Sequence, residues 1–262
     1  MIEVKNLFFS YEKGRRILDD INFNIENGKL VSVIGPNGSG KTTLVKCINN
    51  ILTKESGEVF INNENTEKKT KKELAKLIGY VPQITKEFAM GTVLDTVIMG
   101  RKPYIAWKLT EEDIDIAIET LAKIGMTSFA NRNFSELSGG QKQKILIARA
   151  LAQNPEIYLF DEPVSFLDIK NQLDVLNISS NLAKNENKTI IMVIHDLNMA
   201  YKYSDVIVLL NQGKIMAKGT PQRVAYRRGV VKAVVHVPHD FVLLHHHRDG
   251  LRFEGLLDYL NE

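Results

Sequence analysis

Residues Gly35-Pro36-Asn37-Gly38-Ser39-Gly40-Lys41-Thr42 fit the pattern G-x-x-x-x-G-K-[ST], and their chemistry is phosphate binding. The glycines let backbone N–H groups converge on phosphate oxygens, a concavity that larger side chains would block. Lys41 is expected to reach the β- and γ-phosphates, the Thr42 hydroxyl to bind Mg²⁺, and Thr43 to complete the triphosphate site. A second constellation ends the apolar run Ile157-Tyr158-Leu159-Phe160 with adjacent carboxylates, Asp161 and Glu162. Alternation along a strand would send these two side chains in different directions. Asp161 then suits the metal and Glu162 the activation of an attacking water. His195 closes the apolar run Thr189–Ile194 in the same manner, which favours a sensor near the γ-phosphate.

These groups need elements to position them. Leu30–Ile34 is a short apolar run directly before the loop, suited to a buried parallel strand, and Thr42–Asn49 reads as the helix after it. A helix N-terminus there adds partial positive charge toward an anion. Ile2–Phe9 and Arg16–Ile25 read as extended, the latter alternating in Ile17, Asp19, Ile21, Phe23 and Ile25. Gly57–Ile61 reads as a strand closed by Asn62-Asn63, Lys68–Lys76 as a short solvated helix, and Gly79–Gln83 as a strand end, because Pro82 has no ladder donor. Helical character dominates from Ile84 to Ala150. Thr110 precedes Glu111-Glu112-Asp113 as in a capping box, Ile114, Ala117, Ile118, Leu121 and Ile124 recur at helical spacing, and Gly125 stops the run. Strands return at Ile157–Phe160, Thr189–Ile194 and Asp205–Leu210. The whole is an α/β core interrupted by a helical insertion.

Composition narrows the function classes. The net charge of the 262-residue chain is +3, too mild to argue for a nucleic-acid partner. The single cysteine, Cys47, excludes an internal disulfide and fits a reducing compartment as a buried apolar filler. No apolar stretch approaches the ~18 residues that span a bilayer, and Met1-Ile2-Glu3-Val4-Lys5 lacks the pattern of a signal peptide. A soluble, cytosolic chain is expected, with any membrane role exercised through a partner.

Leu137-Ser138-Gly139-Gly140-Gln141 resembles the signature of ATP-binding-cassette (ABC) ATPases, and the remaining motifs follow in that family's order across residues 1 to about 222. The resemblance implies a P-loop NTPase core of RecA-like type, an N-terminal antiparallel β subdomain and a helical subdomain inserted at about 84–150. It implies ATP and Mg²⁺ as cofactors. Tyr11 resembles the aromatic residue that stacks on adenine. Gln83 resembles the Q-loop glutamine, which reaches the metal and links the site to a transmembrane partner. Ser165-Phe166-Leu167-Asp168 resembles the D-loop, with Asp168 at a dimer interface, and His195 resembles the switch histidine. Ser138, Gly139 and Gly140 precede the helical run Lys142–Ala150 and offer a hydroxyl, bare N–H groups and a helix N-terminus to an anion. In the family that surface completes the ATP site of a second copy, so a homodimer sandwiching two ATP molecules is implied. Two separate permease subunits, a substrate-binding protein acting through them, and a place on the cytoplasmic face of the membrane follow from the same resemblance.

Thr92–Tyr104, with its Gly100-Arg101-Lys102-Pro103 run, is similar to the subgroup importing ferric siderophores, haem and cobalamin. Import of molybdate or tungstate is the alternative, and a cytosolic repair or translation ATPase is the rival class. Repair members carry coiled-coil insertions and translation members two cassettes, and neither is visible here. Beyond about residue 222 the resemblance fades into a divergent tail, 223–262. There Val230–Val237 and Phe241–Arg248 read as strands and Asp249-Gly250 as a hairpin turn. His236, His239 and His245-His246-His247 read as structural, since neighbours on a strand face opposite sides and cannot converge on one ion.

Overall fold

The computed structural model describes residues 1–12, 14–83, 91–165, 167–225, 242–247 and 250–255. The chain opens with strands β1 (Ile2–Ser10), β2 (Arg16–Ile25) and β3 (Leu30–Ile34), helix α1 (Lys41–Ile48), and strands β4 (Ser56–Ile61) and β5 (Glu64–Asn65). Helix α2 (Lys71–Leu77) leads into β6 (Ile78–Val81), and the helical stretch follows as α3 (Val93–Ile98), α4 (Glu111–Lys123) and α5 (Gly139–Gln153). The core resumes with β7 (Ile157–Asp161), α6 (Ile169–Glu186), β8 (Thr189–Val193), α7 (Leu197–Tyr203), β9 (Val206–Asn211), β10 (Lys214–Gly219) and α8 (Pro221–Ala225). Strands β11 (Val242–His247) and β12 (Gly250–Gly255) form a separate hairpin.

Two sheets organise the molecule. An antiparallel sheet has the order β2-β1-β4-β5, and a six-stranded sheet runs β10-β9-β3-β8-β7-β6. The latter is parallel except for β10. Every residue of β3, β7 and β8 is buried, which explains why these strands read as continuous apolar runs rather than alternating ones. Their alternation survives in direction. Ile157, Leu159, Ile191 and Val193 pack with α1 and the antiparallel sheet. Tyr158, Phe160, Ile190 and Met192 pack with α5, α6 and the helical stretch. Each such buried side chain is worth roughly 1.5–3 kcal/mol of transfer free energy. Cys47 lies in the first of these clusters, and burial pushes its thiol up to about 12, in keeping with a filler.

Local chemistry sets the helix starts. Helices α2, α3, α4 and α5 each open on a reciprocal capping box, pairing Thr70 with Glu73, Thr92 with Asp95, Thr110 with Asp113 and Ser138 with Gln141. Each box satisfies two otherwise orphaned backbone donors.

Several expectations shift by a residue or a face. In β2 the buried set is Leu18, Ile21, Phe23 and Ile25, because Asp20 adopts a φ of 54° and the bulge there resets the alternation expected through Ile17 and Asp19. The basic segment is two pieces, a single turn at Thr66–Lys68 and then α2, since the box at Thr70 starts a new helix. Ile118 is exposed while Ala117, Thr120 and Leu121 are buried. The buried stripe of α4 is therefore narrower than the apolar pattern. Helix α5 begins at Gly139 and not near Lys142. His247 pairs with Gly250, so Gly250 opens β12 instead of sitting in the expected turn, and Asp249 lies outside the described residues. The expected strand Val230–Val237, and with it His236 and His239, lies outside the described residues.

Candidate active site

Parallel order brings the carboxyl ends of β3, β8, β7 and β6 side by side, the edge at which open α/β sheets bind ligands. The glycine-rich loop follows β3, His195 follows β8, Asp161 ends β7 and Gln83 follows β6. Four sequence-distant motifs thus meet on one rim.

The loop depends on its glycines. Gly35 has a φ of 149° and Gly40 of 102°. A Cβ on Gly35 would sit 1.9 Å from the Leu210 carbonyl oxygen, and one on Gly40 would sit 2.9 Å from that of Ile17. Both side chains are excluded by backbone, which is the costliest kind of clash to relieve. Lys41 is buried, and its Nζ donates to the Gly35 and Pro36 carbonyls at 2.8 and 2.9 Å. Burial lowers its pKa, while the charges of Glu162 and Asp161 act in the opposite sense. Ser39 Oγ is buried without a hydrogen-bond partner among the described residues.

Asp161 is 2 % exposed. Its two oxygens accept from different elements: Thr42 Oγ1 donates to Oδ1 at 2.7 Å and Tyr80 OH donates to Oδ2 at 3.1 Å. Burial raises the carboxyl pKa, and these two hydrogen bonds pull it back. Tyr80 is opposite Leu159 in the β6–β7 register, so it shares a sheet face with Asp161, two residues on. Its own pKa is raised by burial and by the Asp161 charge. Tyr80 was not among the expected site residues, because a tyrosine in an apolar strand carries no motif signal.

Glu162 does not sit in the strand as expected. β7 ends at Asp161, and Glu162 has a φ of 51°, a left-handed conformation that is costly for a residue with a Cβ. That turn, rather than alternation, separates the two carboxylates. The Glu162 carboxylate is held on several sides: Gln83 Nε2 donates to Oε2 at 2.8 Å, Ser165 Oγ donates to Oε2 at 3.1 Å, and His195 Nε2 lies 2.6 Å from Oε1. Gln83 and His195 thus both meet Glu162, whereas the expectation placed Gln83 at the metal and His195 near the γ-phosphate. Ser165 was expected only as part of the D-loop, with no contact to Glu162 assigned to it.

Tyr11 is 60 % exposed. Its hydroxyl lies 3.3 Å from Thr43 Oγ1, and its ring is edge-on to Phe9 at a centroid distance of 4.9 Å. An open ring anchored beside the loop is suited to stacking.

Leu137–Gln141 lies apart. Leu137 is buried in the core shared by α4 and α5, while Ser138 and Gly139 are exposed. Ser138 caps α5, and Asp168 caps α6 by accepting from Asn171 N and Nδ2, both at 2.8 Å. A Cβ on Gly140 would lie 3.4 Å from Asn171 Nδ2, so the two capped helix starts adjoin. Among the described residues no hydrogen bond or ion pair ties Leu137–Gln141 to the phosphate loop. Phe166 lies outside the described residues.

The donors suit Mg²⁺ better than a metal held wholly by protein. Among the described residues no group of three or more His, Cys, Asp and Glu side chains could hold an ion. A buried carboxylate beside a hydroxyl supplies the one or two hard oxygen ligands that Mg²⁺ takes when phosphate and water provide the rest.

Comparison with known proteins gives the same picture. Residues 18–165 match the family model described as ABC transporter. An ABC transporter ATP-binding protein of Methanocaldococcus jannaschii is 45% identical over 219 residues, 84% of this chain and 85% of its own. The iron(3+)-hydroxamate import ATP-binding protein of Bacillus subtilis is 38% identical over 208 residues, 79% and 77% of the two chains. The phosphonates import ATP-binding protein of Treponema denticola is 37% identical over 230 residues, 84% and 90%. Among solved structures, an inward-facing ABC transporter assigned to the metal-chelate type superposes with a TM-score of 0.80 at 30% identity, covering 97% of this chain and 95% of that one. A dimeric cassette in a post-hydrolysis state, bound to ADP and phosphate, superposes with a TM-score of 0.77 at 33% identity, covering 84% and 99%.

Proposed function

Because this chain belongs to the ABC transporter family and is an ATPase of that family, we propose that it powers a membrane importer of metal chelates such as ferric siderophores, haem or cobalamin. Residues 1–222 form the ATPase domain, with about 84–150 as its helical subdomain and 223–262 as an appended tail. Among the described residues no helix is long and apolar enough to cross a membrane. The path for cargo is therefore built by two separate permease subunits, served by a substrate-binding protein, with this chain on their cytoplasmic face.

The observation that carries the reading is the convergence on Glu162 of Gln83, Ser165 and His195, one residue from the carboxylate tied to Thr42. The loop N–H groups cradle the triphosphate. Lys41 has three donors, two of which hold the loop carbonyls, which leaves the third for a phosphate oxygen. Thr42 and Asp161 would hold Mg²⁺, which would neutralise charge on the phosphates. Gln83 and His195 orient Glu162, and Glu162 orients and deprotonates the attacking water. Tyr11 stacks on the adenine. Ser138, Gly139 and Gly140 of one copy complete the site on a second copy, and Asp168 lies in the joint between them. The dimeric cassette of similar structure supports this arrangement.

Transmission to the permease runs through a cavity of about 660 Å³ between the core and the helical subdomain, lined by Asn50, Ile51, Leu74, Tyr80, Met99 and Gly100 among others. The hydroxamate-import relative and the metal-chelate structure favour a chelate cargo, while the phosphonate-import relative supports an anionic solute as the second reading. The test is to purify the chain with its permease, reconstitute the complex, and measure ATPase stimulation by loaded binding protein. Stimulation by a ferric or cobalt chelate is expected. Stimulation by phosphonate alone would replace the cargo, and activity that ignores every permease would remove the transport role.

A further inference from the structure

Trp107 is the only tryptophan in the chain, and it is 99 % exposed. An indole left wholly in water forgoes more transfer free energy than any other side chain could offer. The segment that carries it, between α3 and α4, has a rigid root. Arg101 donates from Nε to Asp113 Oδ1 at 3.0 Å and from Nη1 to the Ala152 carbonyl at 2.9 Å. Its guanidinium carbon lies 4.3 Å from the Tyr104 ring centroid, and Lys76 Nζ approaches the same ring at 5.4 Å. Two cations thus approach the Tyr104 ring, and Trp107, three residues on, is left in solvent.

The charge within the loop itself has one sign. Lys102 and Lys108 flank the aromatics and are exposed, and no carboxylate occurs from Lys102 to Leu109. The next acids, Glu111 and Glu112, sit in the first turn of α4, where the helix dipole offsets them. A pair of amphipathic rings with lysines on both sides does not form a pocket. It matches a flat surface that is apolar beneath and anionic above, which is the headgroup layer of a bilayer.

We propose that the Lys102–Leu109 loop is a peripheral lipid contact, with Trp107 and Tyr104 at headgroup level and Lys102 and Lys108 against anionic lipid phosphates. The placement rests on the importer reading: Met99 and Gly100, just before the loop, line the cavity assigned to the permease, so the loop borders a face turned toward the membrane. Lipid contact would hold the ATPase subunit level against its permease and add to that interface.

The lone tryptophan makes the loop its own reporter. The full-length chain is mixed with vesicles of phosphatidylcholine alone or containing phosphatidylglycerol, and indole emission and iodide quenching are followed. A blue shift with protection from iodide on anionic vesicles only, reversed by salt, is expected. Lys102→Gln and Lys108→Gln should each weaken partitioning about five-fold, and Trp107→Ala should abolish co-sedimentation, all with unchanged basal ATPase activity. The absence of any shift on anionic vesicles would overturn the proposal, as would binding that survives Trp107→Ala. A shift seen only on vesicles carrying the permease, whatever the lipid charge, would assign the loop to a protein contact and leave the importer reading standing. Vesicle binding without permease-stimulated turnover would instead remove the importer reading and keep the lipid contact.

Discussion

Glu162 is the side chain on which the site converges, and it is held in a backbone conformation that its own Cβ disfavours. Such strain persists only where surrounding contacts over-determine it. Here Gln83, Ser165 and His195 supply them. Glu162→Gln keeps the shape and removes the basicity. ATP binding should persist, a nucleotide-trapped dimer should accumulate on size-exclusion chromatography, and turnover should fall by about 10²–10⁴-fold. Full hydrolysis by that variant would take Glu162 out of its role. Tyr80 offers a subtler test, because it donates to the Asp161 oxygen that Thr42 does not use. Tyr80→Phe should leave affinity for metal-free ATP unchanged. The Mg²⁺ concentration giving half-maximal tightening of nucleotide binding should rise about tenfold, as for one lost hydrogen bond to a charged group. Equal losses with and without Mg²⁺ would mean that the hydroxyl only packs the strand.

At the scale of elements, the helical stretch is held together by close backbone approach. A Cβ on Gly100 would lie 2.0 Å from the Arg149 carbonyl oxygen on α5, and backbone cannot move aside as a side chain can. Gly100→Ala should therefore destabilise the protein by about 1–3 kcal/mol, as overpacking does. A lower midpoint in urea with an unchanged slope would register it, and an unchanged midpoint would show that the junction is loose. The helix starts were written in the sequence more fully than the Thr110 reading took up. Thr70, Thr92 and Ser138 stand three residues before Glu73, Asp95 and Gln141, and each pair forms the same box. The signature serine is thus an N-cap in its own chain. Its helix begins at Gly139 for that reason.

At the scale of the molecule, the exposed cap at Ser138 and the buried loop at Lys41 open different helices of the same chain, α5 and α1. Our reading requires two copies to bring them together. Ser138→Arg should leave ATP binding to the isolated chain intact, apart from about 1 kcal/mol of lost capping, and block ATP-driven dimerisation measured by light scattering. A fall in monomer affinity for ATP would show that Ser138 serves its own site. The sequence by itself determined the chemistry: the loop from Gly35 to Thr42, the acids at 161 and 162 and the histidine at 195 are local patterns whose residue types admit few uses. It also determined the main strands, since β3, β7 and β8 are buried on both faces and read as apolar runs. Only the tertiary structure decided how those groups meet. The second donor to Asp161 from Tyr80 and the contacts of Gln83 and His195 with Glu162 all depend on strands far apart in sequence lying adjacent in one parallel sheet. No local pattern encodes which strands those will be, because pairing is settled by burial summed over the whole core.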